Sequence, residues 1–249
     1  MIQALSGLIS DFRCELSDIW MDIIRSPKYK YLLYSDMEWI TGSAPFASTT
    51  TGSSTTNTNY AVGDSGRVGI KILDMPQLPK PACSILLAPA TNMINVGEGS
   101  WIFETDIQFQ PTDDADFIFN TGFLNGVPTA MDGDGITNGV YFTFGFGRAN
   151  HTDYRVYAKV FANSVESAKI DTGIDIETDV WYRLRIEIIN QKSYFYIDGN
   201  LVGSVDSGLP VGATENTSVG YSCFKKTGDG SVIIPSKRFN IDWIFVLGY

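Results

Sequence analysis

The sequence predicts an all-β fold, built as a two-sheet antiparallel sandwich and preceded by an amphipathic helix. Three observations predict the sandwich: alternating apolar and polar residues recur along most of the chain, aromatic residues make up 13% of it, and glycines number 24. Aromatic residues favour strands and glycines favour turns. A length of 249 residues fits one large sandwich. We therefore expect two units, a helical arm over residues 1–27 and a β-sandwich over residues 28–249.

The predicted helix is amphipathic, because its apolar residues recur at three- and four-residue steps. It ends at Ser26-Pro27, since a residue before proline is pushed out of the helical region. Acidic residues dominate its polar face, which disfavours a membrane-surface helix. We expect this arm to dock onto a partner protein or a second copy, with folding back over the sandwich as the alternative. The docking stripe consists of Leu5, Leu8, Ile9, Phe12, Leu16, Ile19, Trp20 and Ile23.

Two connections precede the clearest strands. The segment between Thr41 and Tyr60 is rich in Ser, Thr, Gly and Asn, and we expect it to be a long surface loop because it has little apolar area to bury. The segment from Met75 to Pro81 contains three prolines, which exclude a central strand.

About a dozen strands follow from two-residue alternation, at the short spacing typical of a sandwich. In the segment Tyr182–Ile188, the apolar positions alternate with Arg183, Arg185 and Glu187, which are predicted to face away from the core. Asp198-Gly199-Asn200 is typical of a hairpin turn, with Gly and Asn supplying positive φ. The other strands with clear alternation are Trp101–Phe109, Val140–Phe146 and a last strand carrying Phe239, Ile241, Trp243, Phe245 and Leu247 on one side.

Three cysteines are too few and too scattered for a disulfide framework, and none forms a CxxC pair for zinc. The N-terminus has no recognisable secretory signal. The sequence also contains no uninterrupted run of the roughly 18 apolar residues that are needed to span a bilayer. Assembly in a reducing compartment fits these features. A net charge of −10 is the opposite of what nucleic-acid binding requires.

The run Asp179–Ile186, followed by Tyr194–Val202, resembles the strand-hairpin signature of concanavalin-A-like jelly rolls. Asn240–Val246 is similar to the final strand of that superfamily, and Tyr34–Glu38 is similar to its opening motif, with Ser35 and Met37 as departures. The resemblance implies one jelly-roll sandwich over nearly all the chain after the arm.

A narrower resemblance connects the chain with virion structural proteins of tailed bacteriophages built on this fold. It is carried by Trp101–Ile107, Phe119–Phe123 and Val140–Phe142, the first with an inserted residue. This resemblance implies a non-enzymatic surface or appendage protein without catalytic residues.

Motifs for catalysis and metal binding are weak. Jelly-roll glucanases place carboxylates at alternate positions of one strand, and we find that spacing at Asp175-Ile176-Glu177-Thr178-Asp179, interpreted as a solvated acidic turn. The run Asp132-Gly133-Asp134-Gly135 lacks the further ligands of a calcium loop, so we interpret it as a polar turn. His151 is the sole histidine and receives no role, and Gly145-Phe146-Gly147 has no helix after it to bind phosphate.

We predict a non-enzymatic virion protein without cofactor or metal, assembled in the host cytoplasm and decorating or cementing a phage capsid through its arm. Its expected partners are other virion proteins and further copies of itself, not nucleic acid or membrane. The alternative is a receptor-binding module of a tail or head fibre that recognises surface glycans, with a glycoside hydrolase or lyase as a third hypothesis. Candidate glycan contacts are Tyr141, Tyr157 and Tyr196, which alternate with core-facing neighbours.

Overall fold

The computed structural model describes part of the chain, and the predicted helical arm, residues Asp132 to Asp134 of the predicted polar turn, and His151 lie outside it. No helix of bilayer-crossing length and hydropathy occurs in the described part. The described residues are 31–35, 46–51, 60–61, 70–75, 82–87, 94–111, 117–126, 135–146, 154–212, 214–225 and 237–249.

These residues form fifteen strands and confirm an all-β fold. The strands are β1 (Tyr31–Ser35), β2 (Phe46–Thr51), β3 (Tyr60–Ala61), β4 (Ile70–Met75), β5 (Ala82–Leu87), β6 (Trp101–Pro111), β7 (Phe117–Leu124), β8 (Gly139–Phe146), β9 (Arg155–Ala162), β10 (Val165–Asp175), β11 (Trp181–Ile189), β12 (Lys192–Ile197), β13 (Asn200–Val205), β14 (Ser218–Lys225) and β15 (Lys237–Gly248).

The strands make two antiparallel sheets, as predicted. Sheet A has the order β13-β12-β11-β6-β15-β4-β3, and β1 also pairs with β15. Sheet B has the order β10-β9-β8-β7-β14-β5-β2. Neighbouring strands such as β6 and β15 are far apart in sequence, so each sheet is assembled by long-range strand pairing. This arrangement is consistent with a jelly-roll sandwich.

The core lies between the two sheets and is rich in phenylalanine. Phe239 from sheet A stacks on Phe119 from sheet B with ring centroids 4.4 Å apart. Phe109 stacks on Phe239 at 5.0 Å, and all three side chains are buried. Each such ring contributes about 1.5–3 kcal/mol through burial, so this aromatic layer joins the sheets.

A polar contact crosses the same core. The Tyr221 hydroxyl on sheet B lies 2.6 Å from Thr105 Oγ1 on sheet A, and that threonine donates to the carbonyl oxygen of Trp243 at 2.6 Å. Because a hydroxyl has one proton, Tyr221 is the donor in the first bond. Burial raises the pKa of Tyr221 well above 10.0, which keeps the phenol protonated.

The last strand departs from the predicted alternation. Ile241 pairs with Ile107 and Ile244 pairs with Thr105, so β15 contains one extra residue at this point, a β-bulge. The residues that face the core after the bulge are therefore Ile244 and Val246, and Trp243 moves to the outer face. Phe245 and Leu247 are buried as well, but they lie outside the core cluster. The prediction of one continuous apolar side from Phe239 to Leu247 is wrong for this reason.

Two further expectations need correction. The strand Phe46–Thr51 lies inside the segment predicted as a loop, and it pairs with β5 at the end of sheet B. Its threonines are β-branched, and β-branched residues favour a strand. Cys223 is disulfide-bonded, and Cys83 lies opposite it in the register of β14 and β5. Reasoning from cysteine count alone did not predict this bond.

Candidate ligand-binding face

The outer face of sheet A carries a row of charged side chains at its centre. Alternation along β6 turns Glu104 and Asp106 away from the core, and alternation along β11 does the same for Arg183 and Arg185. The register places Asp106 opposite Arg183 and Glu104 opposite Arg185. The predicted outward direction of these two arginines agrees with their exposure of 53% and 38%.

Arg183 binds Asp106 side-on. Its Nε donates to Asp106 Oδ1 at 2.9 Å and its Nη2 donates to Oδ2 at 3.4 Å. These bonds use two of the five N–H groups of the guanidinium, so its Nη1 end points elsewhere. The bond to Asp106 raises the pKa of Arg183, which is therefore always cationic.

Arg185 is bound at its end. Its Nη1 donates to Glu104 Oε2 at 3.1 Å, and its Nη2 donates to Glu187 Oε1. The hydroxyl of Tyr196, on the neighbouring strand β12, donates to the second oxygen of Glu187 at 3.2 Å. Tyr196 is thus the one predicted glycan contact that the structure places on this face.

The carboxylates lie beneath the guanidinium groups. The side chain of Asp106 is 5% exposed and that of Glu104 is 14% exposed, much less than either arginine. Burial raises the pKa of Glu104, and the charges of Arg185 and Arg183 oppose that shift. A molecule that approaches this face therefore meets guanidinium N–H groups before it meets carboxylate oxygens.

A recess of about 450 Å³ opens over these groups, within the size range of small-molecule sites. Trp181 lies at one end of the row, in register with Gln108 and partly exposed. We call this site the sheet A recess. Its lining residues are Glu104, Asp106, Trp181, Tyr182, Arg183, Arg185, Asp198 and Gly199.

The β12–β13 turn forms one wall of the sheet A recess. Asp198 and Gly199 have φ values of 50° and 78°, as a two-residue hairpin turn with two left-handed residues requires. The predicted turn is confirmed at this location, but its positive φ angles belong to Asp198 and Gly199 and not to Asn200. Asp198 Oδ1 accepts from the Arg183 backbone N–H at 2.8 Å, which ties the turn to β11.

The bulge in β15 supplies an aromatic support for Arg183. The guanidinium carbon lies 5.5 Å from the centroid of the Trp243 ring, a cation–π distance. Arg183 is therefore held by Asp106 on one side and by Trp243 on another, and these two contacts fix its orientation.

The other two predicted glycan contacts lie on sheet B. Tyr157 is partly buried in β9, and the Lys169 ammonium lies 4.2 Å from the centroid of its ring. Tyr141 is fully buried in a small cluster with Leu124 and Ile136. The expectation that Tyr141 presents an open ring is wrong, because its side of β8 is buried as well as its core side.

Sequence reasoning missed the acidic residues of the recess. It assigned the alternate-carboxylate spacing to residues 175–179, where Asp175, Glu177 and Asp179 are exposed as expected. The same spacing occurs at Glu104-Thr105-Asp106, within the best-predicted strand. The signal was present in that alternation, but the pairing with Arg183 and Arg185 depends on a register between segments about 80 residues apart.

The carboxylates nearest the two arginines are engaged in ion pairs. Glu104, Asp106 and Glu187 each form an ion pair with an arginine. The next outward residue of β6 is Gln108, whose amide bonds to the Asp179 carbonyl and to Asn240. Within the described ranges, no three His, Cys, Asp or Glu side chains are grouped to hold a metal ion.

Comparisons with solved structures identify the fold. A protein of unknown function from Shewanella oneidensis MR-1 is 12% identical, with a TM-score of 0.59 over 94% of each chain. The carbohydrate recognition domain of Emp47p is 10% identical, with a TM-score of 0.56 over 88% of this chain and 95% of that chain. A Bacillus licheniformis β-glucanase is 13% identical, with a TM-score of 0.50 over 86% of this chain and 97% of that chain.

No family model matches the sequence, and a search of curated proteins gives no significant match. Two of these neighbours, a carbohydrate recognition domain and a β-glucanase, have the concanavalin-A-like fold. The likeness concerns the fold alone, and the chain has the concanavalin-A-like sandwich fold.

Proposed function

We propose that the protein is a carbohydrate-binding module without catalytic activity, and that its ligand occupies the sheet A recess. The observation that carries the proposal is the row of two partly exposed guanidinium groups, fixed over buried carboxylates in a recess of about 450 Å³. Saccharide hydroxyls are hydrogen-bond acceptors and donors, and fixed polar groups orient such a ligand at low entropic cost.

Trp181 gives the recess its apolar element. A partly exposed indole at the edge of a polar floor can cover the apolar face of a sugar ring while the floor bonds to hydroxyl groups. Neighbours of the same fold include domains described as carbohydrate recognition domains. Saccharides are therefore the first ligand class to test.

The absence of catalysis is part of the proposal. A retaining glycosidase needs two carboxyl groups about 5–5.5 Å apart, one of which transfers a proton. Asp106 and Glu104 instead form ion pairs with Arg183 and Arg185. We expect incubation with polysaccharides to leave reducing ends unchanged.

Binding is tested by titrating a panel of oligosaccharides by calorimetry. Trp181→Ala and Arg183→Gln should each weaken binding roughly tenfold, because each removes a ring contact or charged donors worth about 1.5 kcal/mol. Arg155→Gln is the matched control, since Arg155 binds Asp175 through Nε and Nη2 in the same way, on sheet B. Equal affinity of all four proteins for every ligand would contradict the proposal.

A second candidate function rests on the sequence of the arm. The apolar stripe from Leu5 to Ile23 suits docking onto another protein, and we propose that it attaches the chain to a tailed-phage virion as a decoration or cement protein. The partners would be virion proteins and further copies of the chain. The two functions are compatible, because the arm and the sheet A recess are separate parts of the sequence.

Substitutions in the intact chain test the arm. Leu8→Asp with Ile19→Asp places two charges on the stripe, and we expect this variant to lose self-association in light scattering and incorporation into particles. Ser10→Asp with Ser17→Asp, which adds the same charges at polar positions, is the control. Equal incorporation of both variants would contradict the docking role.

A further inference from the structure

We infer that the sheet A recess selects uncharged saccharides and rejects uronates and other anionic glycans. The inference rests on the proposed carbohydrate-binding function and specifies its ligand class. Two observations carry it: the net negative charge of the side chains around the recess, and the hydrogen bonds that Arg183 and Arg185 already make to carboxylates.

The balance of charge in and beside the recess is negative. Glu104, Asp106, Glu187 and Asp198 contribute four carboxylates, and Arg183 and Arg185 contribute two guanidiniums, so the local charge is 2 − 4 = −2. The whole chain carries −10. An anionic ligand therefore approaches a recess and a whole chain whose net charges both have its own sign.

Arg185 has no edge left for a ligand carboxylate. Its Nη1 and Nη2 bind Glu104 and Glu187, and its Nε is buried without a hydrogen bond. Bidentate recognition of an anion needs two N–H groups on one edge of a guanidinium. At Arg185, that would require displacing a carboxylate from its ion pair.

Arg183 keeps its Nη1 end for a ligand, in a recess that three acidic side chains also line. Its side-on edge is occupied by Asp106, and Glu104 Oε1 lies 3.7 Å from its Nε. Asp198 is exposed and lines the same recess. Hydroxyl and ring oxygens of a neutral sugar can accept from Nη1 without meeting this repulsion, whereas a carboxylate cannot.

The test compares neutral and anionic probes on the full chain. Gluco-, manno- and galacto-oligosaccharides are titrated against galacturonate oligosaccharides of equal length, at low and at high NaCl concentration. We expect binding of at least one neutral probe, with a Kd that salt leaves unchanged within about twofold, because no net charge is neutralised. The uronates should bind at least roughly tenfold more weakly.

Two outcomes would overturn the inference in distinguishable ways. Preferential binding of uronates, weakened by salt, would refute the selection for neutral sugars and leave the carbohydrate-binding function standing. Binding of neither class would refute both.

One isosteric variant tests the cause of the selection. Asp198→Asn keeps the acceptor for the Arg183 backbone N–H and removes one negative charge. The ratio of uronate affinity to neutral-probe affinity should rise roughly threefold. Asp206→Asn, at an exposed aspartate that pairs with Lys192 outside the recess, is the matched control. An equal ratio in both variants would show that charge at the recess does not set specificity.

Discussion

At the scale of single residues, two arginines bind an aspartate in the same side-on geometry, but their aspartate partners differ in burial. Arg183 binds Asp106, which is 5% exposed, whereas Arg155 binds Asp171 and Asp175, which are more than half exposed. An exposed ion pair adds little to stability, but a buried carboxylate that loses its partner is costly. The Arg183–Asp106 pair is therefore needed for the structure of the recess. The pairs of Arg155 lie at the solvated edge of sheet B and add little to stability.

We expect Arg183→Ala to lower the free energy of unfolding by about 1–3 kcal/mol, because it leaves the buried Asp106 carboxylate without its bidentate donor. Arg155→Ala should cause little measurable change, since water replaces its donors. Urea denaturation of the two variants beside the unsubstituted protein measures the difference. A larger loss for Arg155→Ala would contradict the assignment of the two pairs.

The pH dependence of stability provides a residue-scale prediction for Glu104. Burial raises its pKa in the folded state above the ordinary value of 4.5, so the folded protein binds this proton more tightly than the unfolded chain. Its contribution to stability is therefore lost as pH rises through the interval from 4.5 to the raised pKa. Glu104→Gln removes the titration, so the stability of the unsubstituted protein relative to this variant should fall across that interval. Denaturation curves at several pH values would contradict the pKa shift if the difference rose instead.

At the scale of elements, alternation within a strand was readable from the sequence, and its interruptions were not. The buried faces of β6, β8 and β11 and the hairpin after β12 follow the predicted pattern. The bulge near Trp243 adds one residue to β15, and it appears only when the register with β6 is known. That bulge positions the ring behind Arg183, so part of the site could not be predicted from local sequence.

The burial of a sheet's outer face was also beyond local sequence. Alternation correctly separates Tyr141 from the core-facing residues Val140 and Phe142, but it does not say whether the other face is open. Tyr196 and Tyr141 have the same predicted pattern and differ in their surroundings. Alternation therefore predicts site residues only when it is known which outer sheet face is buried by other parts of the protein.

Substitution of two glycines compares the cost of backbone strain alone with the cost of strain plus close packing. Gly199 has a φ of 78° and open space around a built Cβ, so Gly199→Ala should cost about 1–2 kcal/mol through the left-handed conformation. At Gly122, with a φ of 138°, a Cβ would lie 2.7 Å from the Val140 carbonyl oxygen. Gly122→Ala should therefore cost more, about 3 kcal/mol, because a neighbouring backbone must move. Thermal unfolding compares the two, and equal losses would argue against the close approach of β7 and β8.

The disulfide of Cys223 joins elements that are distant in sequence. Its register partner Cys83 lies on the neighbouring strand β5, and antiparallel partners lie within the Cα separation that a disulfide requires. We expect non-reducing peptide mapping to yield a Cys83–Cys223 linked peptide. Reduction should lower the free energy of unfolding by about 3–5 kcal/mol, because the bond closes a long loop. Titration of three thiols in the unreduced, denatured protein would contradict the bond.

At the scale of the whole molecule, the two sheets enclose one shared core, and their outer faces differ. Sheet A carries an open polar recess, whereas the outward residues Asn120, Tyr141 and Thr143 of sheet B are buried. The fold class and the two-layer architecture were predictable from periodicity and composition. The proposed binding face was not, because its position depends on which strands become neighbours in the finished sandwich.

The central claim is that a saccharide binds on the outer face of sheet A. It is tested most directly by a heteronuclear NMR titration with the neutral oligosaccharide that binds best. The account predicts that the side-chain signals of Trp181 and Arg183 shift first and saturably, while the signals of Tyr157 and Arg155 on sheet B stay unchanged. Saturable shifts confined to sheet B, with the Trp181 and Arg183 signals unmoved, would contradict it.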